Sequence, residues 1–122
     1  MNRQIKSNTV NDFINYYYGN LNNRNLDQLS NLFNDYSQMI FQDKSFNGNN
    51  EILNLLKNNI DQNIRYEIKS FNYLNNGQRK ANILIHGNII SKNNIFNFTD
   101  FIQLTNSKKH DFWVPVIITK II

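Results

Sequence analysis

The 122-residue chain contains no cysteine, one proline, four glycines and two histidines. Without cysteine it can form no disulfide, no cysteine-ligated zinc site and no thiol nucleophile, and a reducing intracellular compartment is the expected environment. The two histidines, His86 and His110, are too far apart in sequence to give a ligand spacing. We therefore expect no metal site and no cofactor.

Long apolar runs are also missing. No segment approaches 18 consecutive apolar residues, and residues 1–6 are not followed by an apolar stretch, so the sequence predicts neither a membrane span nor a secretory signal. A cytoplasmic or nuclear protein without a membrane role is expected. The length fits one domain, residues 1–122, of which residues 1–8 are expected to form a loose N-terminal arm.

Asparagine and basic residues are plentiful instead. The chain has 26 asparagines and a formal net charge of +4. Residues 1–61 carry 5 Lys/Arg and 6 Asp/Glu, whereas residues 62–122 carry 8 and 3. Because these bases are dispersed, with no run longer than two, both an ordinary solvated surface and a surface for phosphate or an acidic partner stay open. No nucleic-acid recognition motif is visible, so RNA contact is expected only through an assembly with another protein.

Apolar spacing predicts three helices in the first half of the chain. The apolar residues from Val10 to Leu21 step by three and four, which is typical of one helix face. The same spacing recurs from Leu26 to Phe33 and from Ile52 to Ile60. Between the second and third helices, the segment from Met39 to Gly48 predicts a short β-hairpin.

After Asp61 the apolar period changes from about 3.6 to 2, which indicates strands. Four long strands are predicted, over residues 64–73, 81–90, 96–104 and 112–122. A phase slip predicts a bulge near Lys69 and Ser70, and the sole proline predicts an edge position or a bulge at Pro115. Helices followed by an antiparallel meander indicate an α+β fold, with the helices packed on one face of a curved sheet.

This order, with the residues at its joints, resembles the nuclear transport factor 2 (NTF2)-like family. The first helix carries an aromatic Phe-x-x-x-Tyr-Tyr step from Phe13 to Tyr18, and the short hairpin ends in Phe46-Asn47-Gly48. The segment from Phe98 to Leu104 loosely matches the Phe-x-x-x-Phe strand of the family, and the last strand opens with Trp113-Val114. The resemblance covers residues 9 to 121 and implies a cone of three N-terminal helices on a curved, mostly antiparallel sheet.

One function within this family is import of the small GTPase Ran in its GDP form, by a homodimer. The resemblance implies a glutamate after the aromatic residue of the first strand and two aspartates in a later loop. Gln42, Ser91 and Asn93 occupy these positions here. The carboxylates needed for charge-assisted pairing with Ran are therefore absent.

A second function is that of the small partner subunit of an mRNA export receptor, the p15/Mtr2 type, which pairs sheet to sheet with the NTF2-like domain of the large subunit. That branch also lacks the Ran acids, so the resemblance favours a non-enzymatic nuclear transport cofactor in a heterodimer. It implies a place in the nucleus, the cytoplasm and the nuclear pore, and leaves binding of nucleoporin Phe-Gly repeats open. The candidate partner-interface residues are Phe101, Val114, Val116, Ile117, Arg79 and Lys80.

A third function is that of an isomerase or dehydratase that uses the pocket between helices and sheet. Such chemistry requires a general base near the first strand and an oxyanion donor in an apolar cavity. Tyr17, His86 and Asp100 could face a cavity, but the position expected for the base offers Met39, Phe41 or Gln42. We therefore predict no catalytic residue, and expect His86 at the surface or rim.

Overall fold

The computed structural model describes residues 4–108 and 111–122, and this part of the chain forms three helices and six strands. The predicted order of two helices, a short hairpin, a third helix and a four-stranded meander is confirmed. The elements are α1 (Ser7–Asn22), α2 (Leu26–Ser30), β1 (Gln38–Phe41), β2 (Lys44–Asn47), α3 (Gly48–Asp61), β3 (Ile64–Asn75), β4 (Lys80–Ser91), β5 (Asn94–Lys108) and β6 (Asp111–Ile121).

The strands form one curved, mostly antiparallel sheet in the order β2-β1-β6-β5-β4-β3. The exception is the parallel pair of β1 and β6, in which Met39 lies opposite Ile117. This pair attaches the short hairpin to the meander and places β6 inside the sheet. Pairing with β1 starts at Val116, so Pro115 lies just before the part of β6 that β1 covers.

Three register shifts interrupt the sheet: one on β3, one on β6, and a third near the end of β5, between Asn106 and Lys108. On β3, Lys69 is the extra residue between Ile68, which pairs with Gly87, and Ser70, which pairs with His86. On β6, Val114 and Pro115 together lie opposite Leu104 of β5. Both predicted bulges are confirmed, and each changes which side chains of its strand face the helices.

The core lies between the helices and the face of the sheet that they cover, which we call the helical face. An aromatic cluster occupies its centre, with ring centroids 4.8 to 6.2 Å apart. Its members are Phe13, Tyr17, Tyr18, Tyr66 and Phe98. These side chains are buried, so the aromatic step from Phe13 to Tyr18 in α1 packs in the core.

The N-terminal arm is shorter than expected. Helix α1 begins at Ser7, and Ile5 is 5% exposed and packs in the core. Burial of the isoleucine side chain offsets the loss of freedom in the residues that lead into the helix. Of the arm predicted over residues 1–8, residues 1–3 lie outside the described part, as does His110.

Replacement of Gly87 by alanine tests the packing of β3 against β4. A Cβ at Gly87 would lie 2.3 Å from the carbonyl oxygen of Glu67 and 2.9 Å from Cε1 of Phe98. Because the oxygen belongs to a paired strand, Gly87→Ala should lower the free energy of unfolding in urea by about 2–3 kcal/mol. Gly19→Ala is the control, since nothing lies within 4 Å of its Cβ and alanine favours helix. Equal free energies of unfolding for Gly87→Ala and Gly19→Ala would contradict a steric requirement for glycine at position 87.

Candidate protein-binding face and buried polar cluster

The sheet face that points away from the helices, here called the outer face, carries an apolar row. Leu84 pairs with Phe101, Phe101 with Ile118, and Ile118 with Ile40, so four adjacent strands contribute one side chain each. Leu84 is 42% exposed, and the other three are partly exposed. We call these four residues the outer row.

The next row on the same face is more polar. It contains Leu74, Asn82, Gln103 and Val116, which are paired in that order across β3, β4, β5 and β6. Leu74 is 75% exposed and, with Leu84 and Phe101 of the outer row, lines a cleft of about 470 Å³. An apolar centre beside uncharged amides resembles the core of a protein interface, from which charged residues are depleted.

The structure separates the predicted interface residues. Phe101 and Val116 lie on the outer face, as expected. Val114 and Ile117 are wrong as interface residues, since each is 1% exposed and packs in the core. The bulge at Val114 and Pro115 is the reason, because it lets two residues three positions apart face the same side.

The two basic interface candidates lie at one end of the outer face. Arg79 and Lys80 are exposed at the turn between β3 and β4, and Lys80 pairs with Thr105. Arg79 has a φ of 58°, and its carbonyl oxygen accepts a hydrogen bond from the amide of Asn106 at 2.9 Å. These residues belong to the rim of the outer face.

The outer row was largely missed by sequence reasoning. Leu84, Ile118 and Ile40 each stand on a different strand, and only the register brings them beside Phe101. The signal that was present is alternation, which places Leu84 on the second face of β4. The sequence does not give the parallel pairing of β1 with β6 that adds Ile40.

The positions that correspond to the Ran acids have structural roles here. The side-chain oxygen Oε1 of Gln42 accepts a hydrogen bond from the amide of Ile121 at 2.8 Å, and the amide of Gln42 donates to the carbonyl of Thr119 at 3.2 Å. Ser91 pairs with Asn94, so Asn93 lies in the turn between β4 and β5. Gln42 thus joins the end of β1 to β6.

A polar cluster is buried within the aromatic core. Asp100 is 2% exposed, and its carboxylate accepts hydrogen bonds from the hydroxyl groups of Tyr18 and Thr119. Burial raises the pKa of Asp100 from 3.8 to about 6, although the two hydrogen bonds oppose this shift. Burial, followed by the charge of Asp100, raises the pKa of Tyr17 and Tyr18 well above the usual value, so both are neutral.

The structure separates His86 from the other two residues considered for catalysis. His86 is exposed on the outer face, as expected, whereas Tyr17 and Asp100 are buried on the helical face. A cleft of about 440 Å³ between α1 and β3 reaches Tyr18, but Asp100 is not among its lining residues. A general base must lie within hydrogen-bonding distance of its substrate. Here the residue that lines the cleft is Tyr18, and its hydroxyl group donates to the carboxylate of Asp100.

Within residues 4–108 and 111–122, no three His, Cys, Asp or Glu side chains are grouped so that they could hold a metal ion. None of the helices in this same part of the chain has the length and apolar character needed to cross a membrane.

Comparison with known proteins identifies a family. The family profile described as "Nuclear transport factor 2 (NTF2) domain" matches residues 9–117. A search of curated proteins finds no match.

Several solved structures share the fold at low sequence identity. Nuclear transport factor 2 (Ntf2) of Cryptosporidium parvum is 18% identical, with 92% of this chain and 90% of that chain covered and a TM-score of 0.80. A chain of the yeast complex of the deubiquitinase Ubp3 and its cofactor Bre5 is 12% identical, with 94% of this chain and 95% of that chain covered and a TM-score of 0.79. A Novosphingobium aromaticivorans protein assigned as a scytalone dehydratase is 10% identical over 93% and 81%, with a TM-score of 0.78. At these identities the likeness is one of fold, and it spans binding proteins and an assigned enzyme.

The buried carboxyl of Asp100 should make stability depend on pH. Its folded-state pKa is above the unfolded value, so its stabilising contribution is complete below about pH 4 and is lost as the pH rises through 6. Asp100→Asn removes this dependence. Between pH 4 and 7 the variant should gain, relative to the wild type, on the order of 3 kcal/mol in free energy of unfolding.

Urea denaturation at four pH values from 4 to 7 measures this difference. Asp43→Asn, at a carboxyl that is 85% exposed, controls for the loss of one negative charge. Parallel stability curves for the wild type and Asp100→Asn would show that Asp100 is not held in the environment described.

Proposed function

The chain belongs to the nuclear transport factor 2 (NTF2) domain family, and from this premise we propose that it is a non-enzymatic transport cofactor of the mRNA export type. In this proposal its outer face pairs with the NTF2-like domain of a large export receptor, and the heterodimer passes through the nuclear pore. The protein then resides in the nucleus and the cytoplasm, and it contacts RNA only through the receptor.

The outer row is the observation that carries the proposal. Leu84, Phe101, Ile118 and Ile40 form an apolar strip across four strands, with uncharged amides beside it. Two sheets that pack face to face bury such side chains between them, about 10 Å apart. Phe101 stands between Leu84 and Ile118, where a buried aromatic side chain contributes most to binding.

The interior of the cone supports a role without catalysis. Both oxygens of Asp100 accept hydrogen bonds from within the protein, and Tyr18 separates the carboxylate from the cleft between α1 and β3. An enzyme that used this carboxylate would have to displace Tyr18 first. The outer face, by contrast, is already accessible.

The choice of an export-type partner over Ran-GDP rests on charge. Gln42, Ser91 and Asn93 offer no carboxylate, and the side chain of Gln42 is engaged with the backbone of Ile121. A Ran-binding surface of the family type needs negative charge at these positions, and steering by charge is lost without it.

A second copy of this chain is the other candidate partner. The outer row carries no charge, so two copies could bring these rows together without like-charge repulsion. The Ran-carrier alternative implies a homodimer. The fold likeness to Ntf2 of Cryptosporidium parvum supports keeping the homodimer as a candidate.

Phe101→Asp tests the outer face. A carboxylate at the centre of a sheet-to-sheet interface would be buried without a partner, so affinity for the receptor's NTF2-like domain should fall by about 100-fold or more. The variant should unfold near the wild-type denaturant concentration, because Phe101 does not pack in the core. Tyr36→Asp, at an aromatic side chain that is 86% exposed off the sheet, is the matched control and should bind normally. Isothermal titration calorimetry measures both.

Ran-GDP binding distinguishes the export and import hypotheses. We expect the chain to capture the receptor's NTF2-like domain and not Ran-GDP, and Gln42→Glu to leave receptor binding unchanged. Strong Ran-GDP binding without receptor binding would overturn the export assignment. Sedimentation of the isolated chain addresses the remaining case, since a stable homodimer that Phe101→Asp dissociates would support self-association through the same face.

A further inference from the structure

Strand β3 ends the sheet, so one side of its backbone has no neighbouring strand. Helix α1 lies beside this edge, and Asn22 in its last turn is hydrogen-bonded to the strand. There, Nδ2 of Asn22 donates to the carbonyl oxygen of Tyr66 at 2.8 Å, and Oδ1 of Asn22 accepts from the amide of Tyr66 at 2.8 Å. These are the two hydrogen bonds that a neighbouring strand would make at Tyr66. The side chain of Asn22 therefore makes, at this edge, the hydrogen bonds that a neighbouring strand would make.

The open part of the edge continues beyond Tyr66. Residues of an antiparallel strand that share a face also turn their N–H and C=O groups to the same side. Ile68 and Phe71 face the core like Tyr66, because the bulge at Lys69 shifts the phase between them. Within the described residues, α1 makes no hydrogen bond to the backbone of Ile68 or Phe71.

A groove separates α1 from this part of β3. It has a volume of about 440 Å³, within the range of about 300–1,000 Å³ that is usual for ligand clefts. On the helix side its wall includes Asn11, Asn15 and Gly19, spaced four residues apart so that they lie along one helix face. On the strand side it includes Ile68 and Phe71. We call it the α1–β3 groove.

Gly19 keeps the groove open. Glycine within a helix costs about 1 kcal/mol relative to alanine. Close packing does not explain why this position is glycine, since a Cβ at Gly19 would meet no atom within 4 Å. The missing side chain leaves space directly opposite the unpaired edge of β3.

The chemistry of the walls identifies the occupant. One wall has free backbone groups and the other has the exposed amides of Asn11 and Asn15, so the groove can hydrogen-bond both edges of an extended chain. Lys69 is the sole charged side chain among the lining residues, so an acidic side chain complements it.

We propose that the α1–β3 groove binds a short extended peptide of a protein partner, which adds to β3 as a further strand. The peptide pairs with the backbone of Ile68 and Phe71, as Asn22 does with Tyr66, and its far edge contacts Asn11 and Asn15. An acidic side chain of the peptide lies near Lys69. This mode of recognition obtains affinity from the main chain and selectivity from alternate side chains. The groove lies on the helical side of β3, so the site is independent of pairing through the outer face.

A displayed library of random twelve-residue peptides tests the proposal. Selection on the full chain, with counter-selection on Gly19→Leu, should enrich acidic peptides that bind the wild type at least tenfold more tightly than the variant. Leucine favours helix more than glycine does, so Gly19→Leu should remain folded, and its thermal unfolding verifies this. Failure to enrich any peptide, or equal binding to Gly19→Leu, would overturn the proposal.

Three further readouts separate strand addition from other binding. N-methylation of the peptide main chain at alternate residues should abolish binding, because it removes the donors that β3 needs. Amide hydrogen exchange should slow at Ile68 and Phe71 on binding, and Lys69→Glu should weaken acidic peptides at least fivefold while leaving the fold intact. Tolerance of N-methylation, protection elsewhere in the chain, or displacement of the peptide by a uridine dodecamer would contradict a peptide strand in this groove.

Discussion

The alternation of side chains along four long strands, and its interruption by the bulges at Lys69 on β3 and at Val114 and Pro115 on β6, is the constraint on which the other features depend. A strand that turns one side chain toward the helices must turn the next one away. The extra residue at Lys69 keeps Phe71 on the helical face after Ile68, and the pair Val114 and Pro115 does the same for Ile117. Without these shifts, the side chains that follow each bulge on β3 and β6 and now pack in the core would point to the outer face. The outer row would then be displaced.

The same constraint fixes the contents of the core. Asp100 stands on the helical face of β5 between Phe98 and Ile102, so its carboxyl must be buried. A buried charge is tolerated only with partners, and Tyr18 and Thr119 supply them from α1 and β6. The cluster thereby ties a helix to two neighbouring strands through directional contacts, in the midst of aromatic packing that is not directional. We infer that Asp100 selects one docking of α1 and lowers stability at neutral pH as a consequence.

The sequence predicted much of this architecture because its signals are local. Helical spacing from Val10 to Leu21, the alternation after Asp61 and the phase slip at Lys69 each depend on residues close in the chain. A proline in a strand predicts a bulge, but it does not predict which face of the sheet the residues beside the bulge occupy. For this reason the sequence assigns Val114 and Ile117 to the interface, whereas they lie in the core. The outer row could not be assembled at all, since the parallel contact of β1 with β6 joins segments about 80 residues apart. The sequence indicates that Asp100 could face a cavity. Its hydrogen bond with Tyr18 depends on how α1 packs on the sheet, which the sequence does not show.

An NTF2 domain has two ways to present the strands that its helices leave uncovered, and this chain uses them differently. On the outer face, side chains from four strands are exposed and backbone groups are paired, so a partner there must match a shape that is apolar at its centre. At the edge of β3 the backbone is exposed, and the side chains of Ile68 and Phe71 are packed, so a ligand there must supply hydrogen bonds. In the two proposed modes of binding, one surface selects by apolar area and the other by main-chain pairing. The two proposals therefore require different partner segments, one across the sheet and one along its edge.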